Sequence, residues 1–127
     1  MKKILMATLL LAATISQAHG QGPLMMKEWI SECNASSKDT LGMFRQTLCL
    51  RYVRGLADGF TLWEILDPKS AMICIPGEVD NRQLAEVGKK YFRENPKDQH
   101  LEAGIVLGIS FRDAWPCQAP SPTVNFK

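Results

Sequence analysis

The sequence predicts an all-α protein: a small four-helix bundle stapled by two disulfides and preceded by an export signal. Three observations predict this class. The chain of 127 residues is long enough for one hydrophobic core and too short for two. Apolar residues recur every three or four positions in four segments, which end at polar or proline-containing breaks. All four cysteines follow the apolar leader.

Residues 1–18 have the three parts of a secretory signal peptide: a basic start, an apolar stretch and small residues before a cleavage site. The apolar stretch, residues 4–15, is 12 residues long. A membrane-spanning helix needs about 20 residues, so a retained membrane anchor is the less favoured alternative. We expect cleavage after Ala18, or alternatively after Gly20, and a mature periplasmic protein that is free of the membrane.

The charge balance excludes some partners. The formal net charge is +2, but Lys2 and Lys3 leave with the signal peptide, which contains no acidic residue. The mature chain is therefore neutral. It lacks the basic excess of a nucleic-acid-binding protein and the global field that would attract an anionic membrane. We expect neither nucleic acid nor membrane as a partner.

Two helices are predicted in the first half of the mature domain, which we place at residues 19–117. The first covers about residues 24–35. The second, residues 41–66, is the longest, and Asp67-Pro68 ends it because the residue before a proline disfavours helix. Its predicted apolar face steps by four and three through Leu48, Tyr52, Leu56, Phe60 and Trp63.

Two more helices are predicted in the second half. Residues 69–79 are interpreted as an extended connector that Cys74 anchors. The third helix begins near Asp80, which forms a capping-box pattern with Gln83, and stops before Pro96. The fourth helix, residues 98–115, is apolar nearly all round, so we expect it to be central and the most buried. Residues 118–127 are predicted to be a loose tail.

The even cysteine count in a small exported domain predicts disulfides. A zinc site is disfavoured because the chain has no C-x-x-C and only two histidines. Four cysteines allow three pairings, and spacing alone does not choose among them. The two antiparallel helical hairpins favour Cys33–Cys49 and Cys74–Cys117. We expect no metal and no cofactor.

Paired glycines interrupt two helices. Gly55 and Gly59 lie four apart in the second helix, and Gly104 and Gly108 do so in the fourth. A glycine inside a helix costs about 1 kcal/mol relative to alanine. Our hypothesis is that the two helices cross at these glycines with close backbone approach; the alternative is that the glycines are tolerated without a role.

No pattern indicates an enzyme. The chain has no G-x-S-x-G and no glycine-rich phosphate loop after a strand. Asp58 follows Arg54 by four residues, which we interpret as a helix-surface ion pair rather than a catalytic carboxylate. His100 is interpreted as a solvated surface histidine. The sequence therefore favours a non-enzymatic binding protein.

The predicted turn between the third and fourth helices is the candidate partner-binding surface, because it displays polar groups between two cross-linked helices. The alternative is an ordinary solvated turn. The candidate residues are Asn95, Lys97, Asp98 and Gln99.

Several ordered landmarks resemble one family. Residues 49–59 resemble the C-x-G/R-Y-x-x-G-x-x-D-G helix of the Rap/Tai immunity proteins, which protect against amidases of the type VI secretion system. Cys74-Ile75-Pro76-Gly77, Tyr91-Phe92 before Asn95-Pro96, and the closing Trp115-Pro116-Cys117 are also similar, as are Trp29 and Cys33 in the opening helix. The resemblance covers about residues 29–117.

This resemblance implies a small periplasmic all-α protein, usually a homodimer, that binds a cognate secreted peptidoglycan amidase and occludes its active site. It identifies no toxin-contacting residue, and it implies scaffold roles for Cys33, Cys49, Tyr52, Gly55, Asp58, Gly59, Cys74, Pro76 and Cys117. Two other functions stay open: a small periplasmic acid-stress chaperone, and an assembly subunit without a toxin partner. A pH switch based on histidine protonation is disfavoured, since His100 is the only histidine beyond the cleavage junction.

Overall fold

The computed structural model describes residues 22–118, so the predicted signal peptide and residues 119–127 of the predicted tail lie outside the described residues. The described chain folds into helices α1 (Met26–Cys33), α2 (Thr40–Leu66), α3 (Asn81–Glu94) and α4 (Ala103–Ala114). A short 3-10 turn, Pro96–Asp98, lies between α3 and α4. Residues 22–118 contain no β-strand, only isolated bridges, which confirms the all-α fold class.

Helices α1 and α2 form the first hairpin. The Asp39 carboxylate accepts a hydrogen bond from the Gly42 backbone N–H at 2.8 Å and so begins α2. The disulfide Cys33–Cys49 then joins the two helices, as predicted. Beside it, the Trp29 indole donates to the Cys49 carbonyl oxygen at 3.3 Å. A short first helix is thereby held against the start of a long second one.

Helix α3 begins with the predicted capping box. The Asp80 carboxylate accepts from the Arg82 and Gln83 backbone N–H groups at 2.8 and 2.9 Å. The Gln83 side-chain oxygen in turn accepts from the Asp80 backbone N–H at 2.9 Å. These bonds satisfy donors that a helix leaves unpaired at its N-terminus.

The predicted start of the fourth helix at residue 98 is wrong, because α4 begins only at Ala103. The residues before it pair with the segment that leads into α1. Met26 N–H donates to the Leu101 carbonyl at 2.9 Å, and Ala103 N–H donates to the Leu24 carbonyl at 2.7 Å. This pairing holds the chain extended at Glu102 and delays the helix.

The connector before α3 is anchored as predicted, and it also has a partner that the sequence did not show. Cys74 N–H donates to the Trp115 carbonyl at 2.9 Å, and Cys117 N–H donates to the Met72 carbonyl at 3.2 Å. The disulfide Cys74–Cys117 lies between these two bonds, which confirms the second pairing. The connector is thus fixed to the chain that leaves α4.

The core lies where α1, α3 and α4 meet the inner side of α2. Val106, Leu107 and Phe111 place α4 at its centre, although Ile105 on the same helix is 52% exposed, so α4 is not buried all round. No helix within residues 22–118 has the length and apolar character needed to cross a membrane. The largest fully buried side chains are Trp29, Phe111, Met26, Leu84, Leu107, Val53, Val106 and Cys49.

The predicted apolar face of the second helix is correct in part, because Tyr52, Leu56 and Phe60 are partly buried and pack against the core, but its centre is rotated. The structure buries Cys49, Val53 and Ala57, and leaves Leu48 39% and Trp63 57% exposed. The disulfide explains the difference, since Cys49 must face α1. Residues at four-residue steps from Cys49 then face the same way.

Candidate protein-binding surfaces

The outer side of α2 carries an exposed apolar stripe. Apart from the adjacent pair Leu62 and Trp63, its members are separated by three, four or seven residues and so share one side of the helix. Arg51 and Tyr52 lie in the gap between Leu48 and Gly55. Their exposed fractions are large for apolar side chains in a small domain. We call these residues, together with the two glycines in their midst, the α2 stripe: Leu41 (67% exposed), Phe44 (58%), Leu48 (39%), Gly55, Gly59, Leu62 (55%), Trp63 (57%) and Leu66 (74%).

The glycines of the two helices do not face each other. A Cβ atom added at Gly55 or Gly59 would meet no heavy atom within 4 Å, so the predicted helix crossing is wrong for this pair. The partner glycines do contact α2, through side chains. A Cβ at Gly104 would lie 3.3 Å from the Tyr52 Oη, and one at Gly108 would lie 3.2 Å from the Phe60 Cζ.

A groove of about 430 Å³ runs beside Gly55 and Gly59, where their missing side chains leave space between α2 and the connector. Trp63 forms part of its wall and is held in place although it is exposed. Its indole donates to the Ser70 Oγ at 3.0 Å, and the Ser70 hydroxyl donates to the Asp67 carboxylate at 2.5 Å. A fixed, exposed tryptophan beside an apolar groove is typical of the anchor positions of protein interfaces.

The turn between α3 and α4 uses most of its polar side chains internally. Asn95 Nδ2 donates to the Tyr91 carbonyl at 2.9 Å, and Gln99 Nε2 donates to the Phe92 carbonyl at 3.1 Å. Asp98 accepts from the Tyr91 hydroxyl at 2.9 Å. Of the four candidate residues, these three are half-buried, and Lys97 is the exposed one. Binding of a partner at this turn stays a prediction.

Two tyrosines have raised pKa values. Burial raises the pKa of Tyr91, and the hydrogen bond to Asp98 and that carboxylate's charge raise it further. Burial, followed by the negative charge of Glu102, likewise raises the pKa of Tyr52. Both phenols therefore keep their protons at neutral pH and serve as hydrogen-bond donors or packing groups.

The remaining polar candidates lie on the surface. Arg54 and Asp58 form the predicted helix-surface ion pair, with 2.6 Å between Nη2 and Oδ1. His100 is exposed, as expected. Within residues 22–118, no group of three or more histidine, cysteine or acidic side chains is placed to hold a metal ion, and every cysteine is in a disulfide.

Two structurally important glycines were missed by the sequence reasoning. A Cβ at Gly88 would lie 2.9 Å from the Trp29 ring and would overlap Leu107. A Cβ at Gly42 would overlap the Ser36 carbonyl. The position of Gly88, four residues after Leu84 on the apolar side of α3, is the signal that could have revealed it.

Comparisons with known proteins give one match. The family model described as Rap1a immunity proteins matches residues 25–117, a span that includes all four helices and both disulfides. No curated protein and no solved structure matches the chain. The matched span covers most of the chain, and the chain belongs to the Rap1a immunity protein family.

Proposed function

We propose that this protein is a periplasmic immunity protein that binds and inhibits a peptidoglycan amidase delivered by the type VI secretion system. The observation that carries the proposal is the family match over residues 25–117. Because an immunity protein acts by covering its toxin, it needs a rigid shape and an accessible surface rather than reactive groups of its own. Cross-linked helices that present an exposed apolar stripe suit that role.

The proposed compartment is the periplasm. Disulfides form and persist in oxidising compartments, and this chain pairs Cys33 with Cys49 and Cys74 with Cys117. Residues 1–18 have the pattern of a cleavable export signal. Peptidoglycan lies in the same compartment, so an inhibitor exported there meets an amidase where the enzyme acts.

The proposed partners are the cognate amidase and a second copy of the chain. We expect the amidase complex to have one inhibitor chain per toxin and a Kd in the nanomolar range, about −12 kcal/mol. Calorimetry with a catalytically inactive amidase measures both quantities. A Kd weaker than about 10 μM would contradict an immunity role, since the inhibitor would then leave most of the toxin free.

Growth rescue tests the function in cells. The cognate amidase, which we expect to be the product of a neighbouring gene, is exported to the periplasm of a host that also expresses the full chain, and growth is followed. A chain lacking residues 1–18, expressed at the same level, is the matched control. We expect the full chain to restore growth and the truncated chain to fail. Continued lysis with the full chain would contradict the proposal, and rescue by the truncated chain would contradict the periplasmic site of action.

The exposed apolar stripe of α2 also suits a second candidate, a small periplasmic chaperone, because chaperones present apolar surface to many clients. Light scattering of several unrelated periplasmic proteins at about pH 3, with and without this chain, separates the two functions. An immunity protein should leave their aggregation unchanged. Broad suppression of aggregation at stoichiometric amounts would favour the chaperone.

A further inference from the structure

The α2 stripe is too long to be covered by a ligand that fills only the groove. Helix α2 has 27 residues, which corresponds to about 40 Å of length. The groove lies against the C-terminal half of α2, between Gly55 and Trp63, whereas Leu41 and Phe44 lie at the opposite end of the helix. A small apolar molecule in the groove would leave those two side chains exposed. A second helix of similar length would cover both ends.

We propose that the α2 stripe pairs antiparallel with the α2 stripe of a second copy, about a two-fold axis that passes between Val53 and Arg54. This inference rests on the homodimer within the proposed function, and it assigns the surface that forms the dimer. A two-fold contact is isologous, so each pairing occurs twice. In this register Leu41 faces Leu66, Phe44 faces Trp63, Leu48 faces Gly59, and Tyr52 faces Gly55 of the other copy.

The shapes at the two ends of the stripe are complementary. Phe44 and Leu48 are bulky side chains that project from the N-terminal half of α2. At the mirrored positions, Gly59 and Trp63 border the groove. Each copy therefore inserts two side chains into the groove of the other, and the open space beside Gly55 and Gly59 is filled by close approach of the two helices.

The area and the charges of the stripe also suit a stable dimer. Together with Met72 beside the groove, its large side chains expose on the order of 800 Å² in each copy, about the area that one partner contributes to a standard interface. Arg54 and Asp58 near the axis already pair with each other. Arg51 lies between Leu48 and Gly55 and is exposed, and its long side chain can extend past the apolar contact so that the guanidinium stays in water. Pairing of the stripes then buries no isolated charge.

The test is sedimentation equilibrium of the full mature chain with its disulfides intact, over about 0.1–100 μM. The variants are Leu48→Glu, Gly59→Lys and the double variant that carries both. Each single change should raise the dimer dissociation constant by about 100-fold or more, because each dimer would bury two unpaired charges. The double variant should recover much of the affinity, since residue 48 of one copy would then face an opposite charge at residue 59 of the other.

Ile65→Glu is the matched control, because Ile65 is 71% exposed on the same helix but lies off the α2 stripe. We expect it to remain dimeric. Thermal unfolding checks the fold, and Gly59→Lys should not lose monomer stability, since nothing lies near that position. A monomeric wild-type chain at 100 μM would overturn the proposal, as would dimerisation unaffected by the single changes, or no recovery in the double variant. If the wild-type chain is monomeric but still rescues growth, the dimer proposal fails and the proposed immunity function is retained.

Discussion

Gly88 is the position where a single methyl group should most clearly damage the fold. The change Gly88→Ala places a Cβ 2.9 Å from the Trp29 ring and into overlap with Leu107. Both neighbours are fully buried, and the Trp29 indole is also held by its hydrogen bond to the Cys49 carbonyl. Neither can move aside without disturbing the core.

The expected magnitude combines two opposing effects. Overpacking a well-filled core costs about 1–3 kcal/mol, and the upper half of that range suits a rigid, buried ring. Alanine in place of glycine returns about 1 kcal/mol of helix propensity. The net loss is about 1–2 kcal/mol, which corresponds to a fall in Tm of about 5–15 °C for a domain of this size.

Thermal unfolding followed by circular dichroism measures this loss, with Gly55→Ala as the matched control. A Cβ at Gly55 meets nothing within 4 Å in its own chain, so at concentrations where the chain is monomeric that variant should keep the full propensity gain of about 1 kcal/mol. The two variants should therefore shift Tm in opposite directions. An unchanged or higher Tm for Gly88→Ala would refute the packing argument.

Three further predictions concern the second disulfide, the α3–α4 turn and the surface of α2. Replacing Cys74 and Cys117 by alanine should cost about 4 kcal/mol in guanidinium unfolding, since the disulfide closes a 43-residue separation; a loss below about 1 kcal/mol would contradict it. The pKa of Tyr91 in the folded protein lies above its ordinary value near 10. The contribution of the protonated phenol to the free energy of unfolding is therefore complete below pH 10 and is lost as pH rises through the raised pKa. Tyr91→Phe should reduce this decline in the free energy of unfolding, measured by denaturant unfolding between pH 8 and 11. An equal decline in the variant and the wild type would contradict a raised pKa for Tyr91. Asp58→Asn should change stability by no more than about 0.5 kcal/mol, because the ion pair with Arg54 is exposed; a loss above about 2 kcal/mol would indicate a buried role.

Local signals in the sequence predicted much of the fold. Asp80 and Gln83 mark the start of α3 because a capping box is formed by neighbouring residues alone. Asp67-Pro68 marks the end of α2 for the same reason. The cysteine pairing followed from the order of the helices, since adjacent antiparallel helices bring their ends together.

The errors arose where distant parts of the chain decide the local structure. Helix α4 starts late because the Ala103 N–H donates to the carbonyl oxygen of Leu24, which is far away in the sequence. The predicted face of α2 included Tyr52, Leu56 and Phe60, which do pack against the core, but its centre was misplaced. The helix is apolar on more than one side, and the contact with α1 through Cys49 selects the side that is fully buried. The spacing of α3 places Gly88 on the buried side of the helix, but only the position of the Trp29 ring against it shows that a Cβ has no room there.

The proposed inhibition of a peptidoglycan amidase by this chain can be measured with purified components. The most direct measurement is the release of soluble fragments from purified peptidoglycan by the proposed cognate amidase, titrated with the mature, disulfide-bonded chain. We expect fragment release to fall in proportion to the added chain and to stop near one chain per enzyme. Undiminished release at a tenfold excess of the chain would contradict it.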